Sequence, residues 1–108
     1  MNNHSFNVEA WAKMDMFNQM GNIGSEVGRA LTAKRQGKTN RCQAAFYRGL
    51  DLIDQTAKLW AITNKHRLKE LLYAREIFAQ SVLTDNIDPT IENYFMQYAV
   101  AAQLQKRR

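Results

Sequence analysis

Residues 40–63, NRCQAAFYRGLDLIDQTAKLWAIT, decide the fold. Cys42, Phe46, Gly49, Leu50, Ile53, Ala57 and Trp60 recur at spacings of three and four, which puts them on one face of an α-helix. Asn40 and Gln43 have the spacing of a capping box, so the helix is predicted over 41–63. Upstream, Val8, Trp11, Met20, Ile23, Val27 and Leu31 continue the same period and predict a helix over 8–36. Asn7 caps it, and Gly37 stops it after Lys34 and Arg35. Downstream, Asn64-Lys65-His66 reads as a turn. Leu68, Leu71, Leu72, Phe78 and Val82 then mark a helix over 67–84. Asp88 before Pro89 is a cap followed by the first-turn proline that helices tolerate, and Ile91, Phe95, Tyr98 and Ala102 carry a last helix over 89–105.

Four helices joined by short turns favour antiparallel neighbours. The expected fold is all-α, a single up-down-up-down four-helix bundle over 1–108. No stretch approaches the roughly 18 apolar residues of a membrane span. Residues 1–7 are polar and lack the apolar run of a signal peptide. Cys42 is the only cysteine, which excludes an internal disulfide and makes a reducing cytoplasm the expected setting.

Charge is unevenly spread. Residues 27–50 hold six of the fifteen Lys and Arg residues and none of the ten Asp and Glu residues. The remaining chain has nine bases against ten acids, so the net charge of +5 is a local feature of one helix–turn–helix. Arg29, Lys34, Arg35, Lys38 and Arg41 are the expected contacts to a polyanion, with RNA or DNA first among partners. Such side chains bind phosphate by charge and hydrogen bonding without reading sequence. A secondary basic patch is expected at the opposite end, from Lys65, Arg67, Lys106, Arg107 and Arg108.

Two further features need a physical account. Gly21, Gly24 and Gly28 lie inside the first helical pattern. Each costs about 1 kcal/mol relative to alanine, so close approach of another helix backbone is the expected reason. Arg75 falls on an apolar stripe and must reach a carboxylate or helix carbonyls. Asp51, Asp54 and Glu26 are its candidates, and Arg48, Asp51, Asp54 and Arg75 are expected to form a structural ion network.

Catalytic signatures are missing. His4 and His66 are the only histidines, and with Cys42 they offer no metal-ligand spacing. No Glu-x-x-His pair of a di-iron bundle occurs. No arginine precedes either histidine at the spacing of the small four-helix ribonucleases. The glycines follow helical residues, not a strand, and no Gly-Lys-Ser/Thr string marks a phosphate loop. The expectation is a non-enzyme with no cofactor.

Asn22-Ile23-Gly24-Ser25-Glu26-Val27-Gly28-Arg29, followed by Ala45-Phe46-Tyr47-Arg48-Gly49-Leu50-Asp51-Leu52-Ile53, resembles the small four-helix-bundle proteins encoded by intervening sequences of 23S ribosomal RNA. The accessory variability protein of diversity-generating retroelements is similar in size, basicity and helix count. The resemblance implies a prokaryotic, barrel-like homo-oligomer, often a pentamer, with basic surfaces that bind nucleic acid or a nucleic-acid enzyme. It matches Arg29 to the families' Gly-Arg and carries over no catalytic residue. The competing expectation is a protein-interaction adaptor without nucleic-acid binding, docking through apolar side chains off the main stripes such as Tyr73, Ile77, Tyr94 and Leu104.

Overall fold

The computed structural model describes residues 7–106, so Arg107, Arg108 and His4 lie outside the described residues. It contains five helices and, among the described residues, no strand. They are α1 (Val8–Lys13), α2 (Met16–Arg35), α3 (Thr39–Thr63), α4 (Lys65–Leu83) and α5 (Pro89–Lys106). The all-α expectation holds. No described helix is long and apolar enough to cross a membrane.

The predicted first helix is divided. Asp15 adopts an extended conformation and its Oδ1 accepts the Asn18 backbone N–H at 2.8 Å, capping a new helix. The preceding turn folds Trp11 back onto α3, where its indole N–H donates to Thr56 Oγ1 at 2.8 Å. At the break the Trp11 carbonyl accepts the Met14 N–H at 3.1 Å, and the buried Gln19 amide also donates to it at 2.9 Å. A local cap and a buried polar relay thus outweigh uninterrupted apolar periodicity.

α2 is the central helix. It packs on α3 along one side and on α5 along the other, and α3 packs on α4. Ile23, Val27 and Leu31 of α2 meet Ile53, Leu71, Phe78 and Phe95 in a core sealed from solvent. Two of the three α2 glycines face α5. A Cβ on Gly24 would stand 2.7 Å from Phe95 Cβ, and one on Gly21 would stand 3.4 Å from Ala99 Cα. At Gly24 only a bare Cα allows that approach, whereas the Gly21 contact is an ordinary close one. Gly28 does not share this role, because a Cβ there would meet nothing within 4 Å. The close-packing glycine absent from the sequence expectation is Gly49, whose Cβ would stand 2.9 Å from the Phe78 ring.

Gly37 takes φ +71 and closes α2 as expected. Its N–H donates to the Lys34 carbonyl, and that of Lys38 donates to Ala33, a Schellman closure. α3 starts at Thr39 with Lys38 in the cap position and no side-chain cap bond, so the Asn40–Gln43 capping box is not formed. The turn after α3 contracts to Asn64 alone, which puts His66 on α4 rather than in a loop. Asp88 does cap α5: its carboxylate accepts from the Thr90 N–H at 2.9 Å and the Thr90 hydroxyl at 2.6 Å.

Candidate nucleic-acid interface

The five cations expected to act together divide into two groups. Lys34 turns inward. Its ammonium donates to the carbonyls of Ser81 at 2.6 Å and Val82 at 3.0 Å, and to that of Thr84. These are orphan acceptors at the end of α4, where a cation also meets the negative end of the helix dipole. Lys34 is therefore a tertiary helix cap, and its three donors are all taken up by these carbonyls. Arg35 donates to Glu92 on α5 at 2.6 Å. That carboxylate raises the Arg35 pKa further above its ordinary value, chiefly through the hydrogen bond.

The other three, Arg29, Lys38 and Arg41, line one groove of about 760 Å³. A fourth cation, Arg48, joins them. Helical spacing explains the set. Ser25, Gly28, Arg29 and Thr32 recur on one side of α2, and Arg41, Ala44 and Arg48 recur on one side of α3. Small side chains form the floor, with Gly28, Ala33 and Ala44 leaving the backbone close to the surface. Gly28 thus opens the groove instead of packing a helix. Ser25, Thr32 and Gln36 add neutral hydrogen-bonding groups to its walls. Glu92 is the one acid among the lining residues, and Arg35 already engages it. Lys38 and Arg41 are exposed and make no ion pair among the described residues.

Arg48 leaves the ion network in which the sequence had put it. Its Nε donates to Glu26 Oε2 on α2 at 3.2 Å, and Arg29 Nη1 lies 3.3 Å from the same oxygen. Asp51 is exposed and has no ion pair among the described residues. The remaining pair forms, although Arg75 and Asp54 are 36% and 46% exposed rather than buried as the apolar stripe implied. Arg75 grips Asp54 with Nε to Oδ1 at 2.7 Å and Nη2 to Oδ2 at 3.3 Å. The expected four-residue network is thus one forked pair plus one arginine diverted to Glu26. The diversion follows from burial: Glu26 is 14% exposed and lies against α3, whereas Asp51 faces solvent. Arg48 was the groove cation that sequence reasoning missed, together with its partner Glu26 behind the groove. The seven-residue interval from Arg41 to Arg48, two helical turns, was the available signal.

The secondary patch is also partly committed. Arg67 donates to Tyr98 Oη at 2.8 Å and lies 3.5 Å from Glu70. Tyr94 and Tyr98 both donate to Glu70 Oε1, at 2.5 and 3.2 Å. Burial, then the Glu70 hydrogen bond, pushes the Tyr94 phenol well above its ordinary range. Lys65 and Lys106 are exposed. Among the apolar side chains expected off the main stripes, Tyr73 and Leu104 are exposed, while Ile77 and Tyr94 are half-buried. Among the described residues no group of His, Cys, Asp and Glu could hold a metal ion. Comparison with protein-family models, with curated proteins and with solved structures finds no match.

Proposed function

We propose that the chain is a non-catalytic helical bundle that binds the phosphate backbone of RNA or DNA along the α2–α3 groove. The observation that carries this reading is the convergence of Arg29, Lys38, Arg41 and Arg48 on one small-floored groove. Lys38 and Arg41, free of ion pairs among the described residues, and the remaining N–H groups of Arg29 and Arg48 suit phosphate oxygens, and the small floor lets a backbone come close. Asp54 is held by Arg75 and Asp51 is exposed, which favours binding over acid–base chemistry at that pair.

The finer architecture in this reading is an up-down-up-down arrangement of α2 to α5. The short connections at 36–38, 64 and 84–88 favour it. So does Lys34, which joins the last turn of α2 to the last turn of α4. Self-association completes the proposal, in line with the families that the sequence resembles, where a pentamer is common. Met96, Val100 and Leu104 recur every four residues on α5, all exposed, within a stretch from 93 to 105 that has no charged side chain. A second copy of the chain is the occupant proposed for that row, in a cytoplasmic setting.

Fluorescence anisotropy with generic single-stranded and duplex oligonucleotides at two salt concentrations tests the groove. Affinity is expected to fall steeply with salt. Replacing Arg29, Lys38, Arg41 and Arg48 together by Gln should weaken binding at least tenfold, the equivalent of roughly 1.4 kcal/mol. Unchanged affinity overturns the assignment. Light scattering tests self-association. A monomer with salt-insensitive affinity for another protein would favour the adaptor reading instead.

A further inference from the structure

Arg29 and Arg48 sit on different helices, yet both converge on a single oxygen, Glu26 Oε2, at 3.3 and 3.2 Å. Two guanidinium groups that close repel one another unless a carboxylate lies between them. The contacts are poor ones for stability alone. Each arginine uses a single nitrogen rather than a fork, and their side chains are 64% and 53% exposed. Glu26 is largely buried, and its second oxygen has no hydrogen-bond partner among the described residues. Its stem runs close to α3, since Glu26 Cβ lies 3.5 Å from where a Cβ on Gly49 would stand. The carboxylate is wedged between α2 and α3 while most N–H groups of both arginines remain available to the groove, out of five per guanidinium.

From this geometry we infer that Arg29 and Arg48 form a phosphodiester subsite and that Glu26 is its positioning residue, holding two guanidinium groups side by side for one phosphate. The inference rests on the groove reading above and deepens it. The trio keeps a net charge of +1, and the free donors of both arginines can be shared by the oxygens of a single phosphate. The rival role for Glu26 is a competitor that occupies the arginines and weakens anion binding.

The sign of one substitution separates the two roles. Glu26→Gln raises the net charge by one, which by general electrostatics tightens binding to a polyanion. A positioning role has the opposite consequence. Affinity for the same labelled oligonucleotides should fall by about tenfold, as for one lost charge-assisted contact. Arg48→Gln should then cost far less in the Glu26→Gln background than alone, while Lys38→Gln should cost the same factor in both. A general loosening of the groove would change the Lys38→Gln factor too.

Circular dichroism melting verifies that the variants fold. If Glu26→Gln does not, the Arg29→Gln and Arg48→Gln cycle on the Glu26 protein serves in its place, and each single change should remove most of what the pair removes. Tighter or unchanged binding by Glu26→Gln, or full additivity in that cycle, overturns the subsite. If the fourfold groove variant still weakens binding, the groove reading survives that result. Wild-type protein that binds none of the oligonucleotides overturns both.

Discussion

Lys34 and Lys38 stand four residues apart in one basic run, and the fold uses them in opposite ways. Lys34 is enclosed by three carbonyl oxygens at the end of α4. Lys38 lies beyond the left-handed Gly37, on the exposed rim of the α2–α3 groove. Arg35 and Arg41 repeat the contrast, the first tied to Glu92 and the second free of ion pairs among the described residues. Basic density in a sequence therefore measures two quantities at once: cations that terminate neighbouring helices, and cations that face solvent. Lys34 has all three of its donors occupied, whereas Lys38 and Arg41 keep theirs toward solvent.

The largest expected effect separates the two lysines by stability. Lys34→Met should destabilise by about 2–3 kcal/mol, the range for loss of hydrogen bonds to a charged group that leaves acceptors unmet. Lys38→Met should stay within about 0.5 kcal/mol, as for an exposed surface position. Urea denaturation of both variants measures the difference, and equal midpoints would erase the contrast.

The glycines sharpen the same comparison between interior and groove. Gly24→Ala forces a Cβ against Phe95 and should cost about 1–3 kcal/mol through overpacking. Gly28→Ala meets no atom and should stabilise by up to about 1 kcal/mol through helix propensity. Its methyl would enter the groove floor, so oligonucleotide affinity should fall while the melting temperature rises.

Asp54→Asn, which weakens the forked pair with Arg75, should cost less, about 0.2–1 kcal/mol, because both partners are substantially exposed. A thermal melt in low and high salt would show that difference shrinking with ionic strength.

The smallest effect concerns Asp88. The Thr90 hydroxyl and then its N–H hold the Asp88 carboxyl below the usual aspartate range. A depressed folded-state pKa adds stability that is present above the unfolded value, near 3.9, and is lost as pH falls through the folded value. Asp88→Asn should flatten this acid limb in denaturation curves taken across that window, with little change at neutral pH.

Much of the helical content was legible because its signals are local. The stripe from Cys42 to Trp60 fixed α3 within two residues of its start, and Pro89 and Gly37 marked two boundaries where they fall. The division at Asp15 was not legible from periodicity. Apolar spacing continues across it, and the decision came from the Asp15 cap together with a long-range bond from Trp11 to Thr56. The same limit applied to charge. Arg75 on an apolar stripe announced a partner, yet the choice of Asp54 over Asp51, and of Glu26 for Arg48, depended on which carboxylate the packed helices brought within reach.

By itself the sequence determined an all-helical chain with its positive charge concentrated around one turn, since periodicity and composition act over a few residues. Tertiary structure alone decided which of those cations remain available. That outcome depends on contacts between residues far apart in the chain: Lys34 meets carbonyls contributed some fifty positions later, while Arg29 and Arg48 meet only because α2 and α3 close on Glu26.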